Sequence, residues 1–349
     1  MTSQSRSKLS EEASMKVASA RFAALSHKQQ MRILCELIET RSAELELAYP
    51  NVVRLGIGRR RQRDSNGLSK IRDQEPACVL FMVKRKWSRN SKREGRIPTY
   101  LLTYTHIRGK RQLVAAPTDV DAASWLLKAR ANANIFASID GAQTSEEGAF
   151  CCAIKNSSGN TVFGMSCRHV LSFGAFADES SDFVEQNEVR IGQIKDIRGP
   201  SRGANVMDAQ LFLITGGDAD IPRFSGTVND VASIPISLTH GAPSLDDASR
   251  SCSFRGLWQR PKRITLTADN WMFAGELVEV DLPGKSTIAG DSGSPIATCG
   301  QQRKLVGMHI GIARSAGVDG VASICIPAWR LMDPHNYEGA PANAAWSVL

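Results

Sequence analysis

From about Thr144 to Pro327 the chain is a succession of short apolar runs, each closed by a turn signal. That pattern restricts the fold more than any other feature. GAFCCAIKN leads through Ser-Ser-Gly-Asn into TVFGMSC, and EVRIGQIKDI, VMDAQLFLI, ITLTA, GELVEVDL, SPIATC, KLVGMHIGIA and VASICIP follow. Such runs are too short for helices that bury a face. Their β-branched content and the intervening Gly, Asn and Ser mark strands in a regular series. A chain built this way closes into an all-β barrel or sandwich.

One of these connections carries more glycine than a plain turn needs. STIAGDSGSPIATC, residues 286–299, sets Gly-Asp-Ser-Gly-Ser-Pro between two apolar stretches. Taken alone it reads equally as a tight structural turn. It also fits a turn that presents a serine hydroxyl and its own amides to a reacting carbonyl. Acyl transfer needs a nucleophile, a base, a group that orients the base, and donors for the developing oxyanion. Candidates for all of them occur in order. His169 lies in SCRHVL after an apparent strand, Asp208 opens the strand VMDAQLFLI, and Ser292 lies in GDSGSP. Asp196, Asp218 and Asp220 are rivals for the orienting carboxylate, but only Asp208 opens a hydrophobic strand. His169 alone reads equally as a core histidine. His27, His106, His240 and His335 have no comparable setting.

With GDSGSP, a His-Val at a strand end and an Asp-Ala-x-Leu at a strand start, the chain resembles the trypsin-like (chymotrypsin-fold) serine peptidases. It looks like the compact, disulfide-poor bacterial kind, over roughly Thr144 to Met332. The resemblance implies a mainly β fold, a chymotrypsin-like double six-stranded antiparallel β-barrel with the site in the cleft between the barrels. It implies Ser292 as nucleophile, His169 as general base and then acid, and Asp208 as the group that fixes the imidazole tautomer. The amides of Gly290 and Ser292 would form the oxyanion hole. A side chain at position 290 would crowd the incoming carbonyl.

Two departures from the family pattern stand out. Arg168 occupies the position before the histidine, where a small residue is usual, and no Ile-Val-Gly-Gly-type sequence precedes the domain. Asp291 is therefore expected to pair with an internal partner rather than with a newly cut N-terminus. The resemblance also places Ser286, six residues before Ser292, at the base of the specificity pocket. Without an acid there, a buried Arg or Lys side chain would lack its counter-charge. Thr287 and His309 in GMHIG resemble the substrate-side pair of glutamyl endopeptidases and picornavirus-type main proteases, which implies Glu or Gln at P1. A hydroxyl and an imidazole can both donate to a carboxylate or amide oxygen. The other reading of His309 is a histidine satisfied by the barrel wall.

The N-terminal third differs in charge. Residues 1–120 hold 24 Lys/Arg against 11 Asp/Glu, while the whole chain of 349 residues carries a net +8. Residues 10–47 read as two helices, with Ser10 followed by Glu11 and Glu12 as one cap, and Ser26 with Gln29 as a capping box for the next. Ile33, Leu34, Leu37 and Ile38 share a face of the second helix, and Pro50 ends it. That face packs on the body or on a partner protein. Asn51–Gly58 and Ala77–Lys84 read as a β-hairpin with a basic tip, in a region resembling the small α/β segment that precedes some bacterial trypsin-like domains. The expected organisation is a helical segment over 1–50, a small basic α/β accessory region over 51–120 and a peptidase domain over 144–349.

Arg59, Arg60, Arg61, Arg63, Lys84, Arg85, Lys86, Arg89, Lys92 and Arg93 could contact phosphates, with Trp87 stacking on a base. No recognised nucleic-acid motif accompanies them, and a solvated hairpin tip is the ordinary reading. The eight cysteines form no framework and sit among apolar residues, as reduced core thiols do. No Cys/His spacing calls for zinc, and no metal or other cofactor is expected. No apolar run suits a membrane span or a secretory signal, so a cytoplasmic location is expected. The expected function is a serine endopeptidase that cleaves a protein or peptide substrate in regulated proteolysis. Two further readings are a protease-like binding module with an idle triad, and a basic nucleic-acid adaptor.

Overall fold

The computed structural model describes residues 3–63, 69–71, 75–84, 95–122, 136–139, 142–143, 148–157, 159–171, 183–186, 189–200, 206–216, 221–241, 250–259, 275–282, 291–314 and 321–349. In chain order these hold helices α1 (Ser3–Ala23) and α2 (His27–Ala48), then strands β1 (Val52–Arg59), β2 (Arg61–Arg63), β3 (Ser69–Ile71), β4 (Ala77–Val83), β5 (Tyr100–Ile107) and β6 (Lys110–Ala122). Next come β7 (Phe136–Ile139), β8 (Ala142–Gln143), β9 (Cys152–Asn156), β10 (Val162–Ser166), the single turn α3 (Arg168–Leu171), β11 (Phe183–Gln186), β12 (Val189–Arg198), β13 (Gln210–Ile214) and β14 (Ser237–His240). The chain ends with β15 (Arg250–Trp258), β16 (Leu277–Asp281), β17 (Pro295–Thr298), β18 (Leu305–Arg314), β19 (Val321–Pro327), α4 (Ala328–Leu331) and β20 (Trp346–Val348). Two compact units result: residues 1–123 with 255–262, and residues 124–254 with 263–349.

In the first unit α1 runs straight through Ser10, so Ser10 is not a helix cap. With no Gly or Pro between Ser3 and Ala23, nothing forces the helix to start there. Ser26 does cap α2. Its side chain accepts from the Gln29 amide, and the Gln29 side chain accepts from the Ser26 amide at 3.0 Å. Ile33, Leu34, Leu37 and Ile38 are buried, and α2 packs on β1 and β4, so this apolar face is covered within its own unit. Beneath the helices β1 pairs antiparallel with β4, β4 parallel with β6, and β6 antiparallel with β5. The other edge of β1 takes residues 256–258 of β15. Between β1 and β4, residues 61–63 and 69–71 pair as the small β2–β3 ribbon.

Two of the basic residues that could face phosphates are engaged within this unit. Arg59 is buried, and the Arg60 guanidinium donates to the Thr118 carbonyl at 3.1 Å. Arg85, Lys86, Trp87, Arg89, Lys92 and Arg93 lie outside the described residues. The buried Arg255 guanidinium bridges Asp119 and Asp121 at 2.9 and 3.0 Å. A fully desolvated cation is tolerated only when carboxylates surround it in this way.

The second unit is built from two sheets. Strands β14, β17, β18, β19, β16 and β15 follow one another, and β15 pairs back to β14, closing a six-stranded antiparallel barrel. The second sheet has the order β20-β9-β10-β13-β12-β11-β7-β8, and no pairing closes it among the described residues. The architecture is mainly β with a few N-terminal helices, consistent with a chymotrypsin-like fold. One hydrophobic core joins the two sheets, with Ile154, Met165 and Phe212 from one and Met308, Ile310 and Ile324 from the other. The strands expected from EVRIGQIKDI, GELVEVDL, SPIATC, KLVGMHIGIA and VASICIP are all present, whereas ITLTA lies outside the described residues. Among the described residues, no helix is long and apolar enough to cross a membrane.

Candidate active site

Strand β10 delivers the first residue of the site. It ends at Ser166, Cys167 turns inward, and the one-turn helix α3 carries His169. Arg168, out of pattern in the sequence, is buried and its Nη1 donates to the Gly199 carbonyl at 3.2 Å. The long side chain therefore occupies space that a small residue would leave, and finds an acceptor there.

Asp208 lies two residues before β13, so it precedes that strand rather than opening it, and it is 1% exposed. Its Oδ1 accepts the His169 amide at 3.1 Å, and its Oδ2 lies 2.6 Å from His169 Nδ1. An ionised carboxylate can only accept, so the proton in this contact sits on Nδ1. The imidazole then has its basic lone pair at Nε2. Asp196 does not compete: its side chain is largely exposed and pairs with Arg198 at 3.2 Å. Asp218 and Asp220 lie outside the described residues.

The turn over Asp291, Ser292 and Gly293 is seated against the segment that precedes His169. The Gly293 amide donates to the His309 carbonyl at 2.9 Å, and the Cys167 thiol donates to the same oxygen at 3.3 Å. The Ser292 carbonyl accepts the Ala149 amide at 2.7 Å, and the Ala149 carbonyl accepts the Ser166 hydroxyl at 2.7 Å. Gly293 has φ +92°, and a Cβ there would stand 2.2 Å from the Ala149 carbonyl oxygen and 2.5 Å from Ser166 Oγ. Only glycine suits both the left-handed backbone and the approach to β10. The Ser292 Oγ is buried and hydrogen-bonded to none of the described residues. Gly290, Ser286 and Thr287 lie outside the described residues.

Behind the serine is a polar cluster that the sequence disclosed only through His309 and Asp291. Asp291 is paired with the Arg250 guanidinium, whose Nη2 also reaches His240 Nδ1 at 3.1 Å. Asp291 thus has the internal partner expected for it. A guanidinium can only donate, so His240 Nδ1 is the acceptor and the neutral ring carries its proton on Nε2. The His240 and His309 rings meet edge to face with centroids 5.0 Å apart. His309 Nδ1 lies 2.5 Å from Ser323 Oγ, which in turn lies 3.3 Å from the Cys325 sulfur. Among the described residues, His240 has no carboxylate on its ring as His169 does; cross-strand pairing places it opposite Arg250 and buries it completely. Nothing in the sequence discloses that register, because residues 241–249 separate the two strands.

Burial fixes the protonation states in this cluster. Desolvation, then the charges of Arg250 and His169, pushes His309 down to about 3. Burial, then His309 and Arg250, holds His240 well below the usual histidine range. Both imidazoles are neutral at physiological pH. Burial, then the Asp208 carboxylate, drives the Cys167 thiol well above its ordinary value, so it remains a thiol and not a nucleophilic thiolate.

Donor atoms of Cys167, His169 and Asp208 lie within 4.8 Å of one another. His169 Nδ1 and Asp208 Oδ2 are engaged with each other, and the Cys167 thiol donates to the His309 carbonyl.

No family model matches the chain, and no curated protein matches it. Among solved structures, an inactive mutant of the murine norovirus NS6 protease is similar over 47% of this chain and 83% of that chain, with 15% sequence identity and a TM-score of 0.28. So weak a superposition leaves the chemistry of the site to be argued from this chain's own residues.

Proposed function

We propose that the chain is a serine endopeptidase. The observation that carries this reading is the buried Asp208 carboxylate bonded to both the backbone and Nδ1 of His169, beside the turn that bears Ser292. A core histidine needs one satisfied nitrogen. A carboxylate held almost fully out of water on Nδ1 goes further, because it favours the cation that forms when Nε2 takes a proton.

In this mechanism the Ser292 hydroxyl attacks the scissile carbonyl and gives its proton to His169 Nε2. The tetrahedral oxyanion is received by the amides of Gly290 and Ser292. His169 then protonates the leaving amine, and the acyl-enzyme forms. Water, deprotonated by the same nitrogen, releases the acid and restores the serine. Removal of one oxyanion donor from such a site typically raises the barrier by about 3–4 kcal/mol.

The substrate side chain at P1 is proposed to be Glu or Gln, received by His309 with Thr287, above Ser286. Two neutral imidazoles in contact, His309 and His240, support a hydrogen-bonding pocket rather than one that neutralises a cation. The accessory region of 51–120 and the N-terminal helices are proposed to serve as a scaffold or as a docking element for a partner protein, in regulated rather than bulk proteolysis. A cytoplasmic setting fits the eight free cysteines.

The test is labelling by a fluorophosphonate probe together with a cleavage profile on a peptide library. Labelling of the full chain that disappears in Ser292→Ala and in His169→Ala, with cleavage after Glu or Gln, is the expected result. An unlabelled native chain would sink the enzyme reading and favour the idle binding module. Cleavage dominated by Arg, Lys or Phe at P1 would sink the specificity reading alone.

A further inference from the structure

The first unit contains a pocket of about 600 Å³ that the proposed peptidase chemistry does not use. It lies between the α1–α2 turn and the tip of the β5–β6 hairpin. Its apolar part is Ala24, Leu25, Ile33 and Ile107. Around these stand three guanidinium side chains, Arg21 from α1, Arg32 from α2 and Arg108 from the hairpin tip, against a single carboxylate, Glu36. Arg21 is braced toward β6, its Nη1 3.4 Å from the Leu113 carbonyl.

Arg108 is the informative residue. Ile107 pairs with Lys110, so Arg108 and Gly109 are the whole turn, and both have positive φ, +51° and +75°. Turns of this kind take Asn, Asp or Gly at the first central position. Arg108 is the one non-glycine residue with positive φ among the described residues. A long cationic side chain is held there in strained backbone, in the lining of a pocket that two other arginines also line. Strain of this sort collects where a side chain is wanted for a contact rather than for the fold.

From these observations we infer that the pocket binds a small anionic molecule with a flat apolar body and linked phosphates, for which a nucleoside diphosphate is the matching chemistry. The volume falls within the roughly 300–1,000 Å³ of ordinary small-molecule sites. Guanidinium forks from three separate elements suit phosphate oxygens, which accept paired N–H donors. The aliphatic wall of Leu25, Ile33 and Ile107 suits the face of a base. A long nucleic acid would need a charged track, whereas these cations converge on one concavity.

The experiment is calorimetric titration of the full chain with ADP at low salt, alongside adenosine and inorganic pyrophosphate. One-to-one binding of ADP is expected, with adenosine and pyrophosphate each at least about tenfold weaker, a difference that corresponds to roughly 1.4 kcal/mol. Arg32→Glu and Arg108→Asn should each weaken ADP by a similar factor. Arg108→Asn should also raise the melting temperature, because Asn accepts left-handed backbone. That result separates loss of the site from loss of the fold. No heat with ADP, unchanged affinity in both variants, pyrophosphate binding as tightly as ADP, or binding of a single-stranded oligonucleotide in place of ADP would each overturn the inference. The outcome is independent of whether Ser292 reacts with a fluorophosphonate.

Discussion

The Arg250 guanidinium is paired with the carboxylate of Asp291, the residue immediately before Ser292, and the same Nη2 touches His240. The pair fixes the turn from one side while the Gly293 amide, bound to the His309 carbonyl, fixes it from the other. No cut N-terminus is needed to neutralise Asp291. Replacing Arg250 by Met removes the guanidinium paired with a nearly buried carboxylate, which typically costs roughly 3 kcal/mol. The expected outcome is a lower urea midpoint and loss of fluorophosphonate labelling in Arg250→Met. Adding Asp291→Asn should recover part of the midpoint, because the buried negative charge that Arg250 balanced is then gone. Equal midpoints for the single and double variants would show that the ion pair does not hold this turn.

The second prediction concerns the contact between Asp208 and His169. Asn at position 208 keeps the size but can present its NH₂ to Nδ1, which drives the imidazole proton to Nε2 and removes the base. A fall in the rate of acylation by roughly 10³–10⁴-fold is expected, with little change in fold. Stopped assays with a fluorogenic P1 Gln peptide measure it, and circular dichroism checks the fold. A variant that retains the native acylation rate would mean that Asp208 does not set the tautomer.

Much of the β architecture was readable because each strand carries its own signal. Val, Ile and Phe between Gly- and Asn-rich turns give strands wherever they pair. The capping box at Ser26 was readable for a similar reason: two residues three apart decide it. Ser10 misled, since a serine with acids after it resembles a cap only if the helix begins there, and nothing upstream prevents an earlier start. His240 and Arg250 were not readable as site residues. Their role depends on a cross-strand register and on the depth of burial, neither of which is a local property. The same holds for Arg59, whose position in a basic run suggests a surface charge although the side chain is buried. Arg168 stands out in the sequence, but its carbonyl acceptor lies at Gly199, on a different stretch of chain.

Gly293 supplies the third prediction. Its φ of +92° disfavours any side chain, and the first atom of one would overlap the Ala149 carbonyl oxygen and the Ser166 hydroxyl. Both neighbours belong to the segment that leads to His169, so relief must come from moving the Ser292 turn. Gly293→Ala is expected to destabilise the chain by roughly 3 kcal/mol and to abolish labelling of Ser292. Thermal unfolding and probe labelling together check it. An alanine variant as stable and reactive as the parent would mean that the turn is not locked onto β10.

The fourth prediction follows from the buried His309, whose folded value of about 3 lies below its ordinary value of 6.5. Above pH 6.5 the ring is neutral in both the folded and unfolded chain and adds no pH dependence. As the pH falls below 6.5, the unfolded chain takes up a proton that the folded chain refuses, so stability is lost progressively down to about pH 3. At pH 5 this single group should have removed ~2 kcal/mol. His240, also depressed by burial, works in the same direction. Urea unfolding of the full chain at several pH values between 7 and 5 should show the midpoint falling. His309→Gln keeps a polar side chain near Ser323 without a titrating ring, and should show a shallower fall whatever its stability at pH 7. Equal slopes for the parent and the variant would mean that His309 takes up its proton as readily in the folded chain as in the unfolded one. The neutral pocket proposed for a Glu or Gln side chain would then have to be given up.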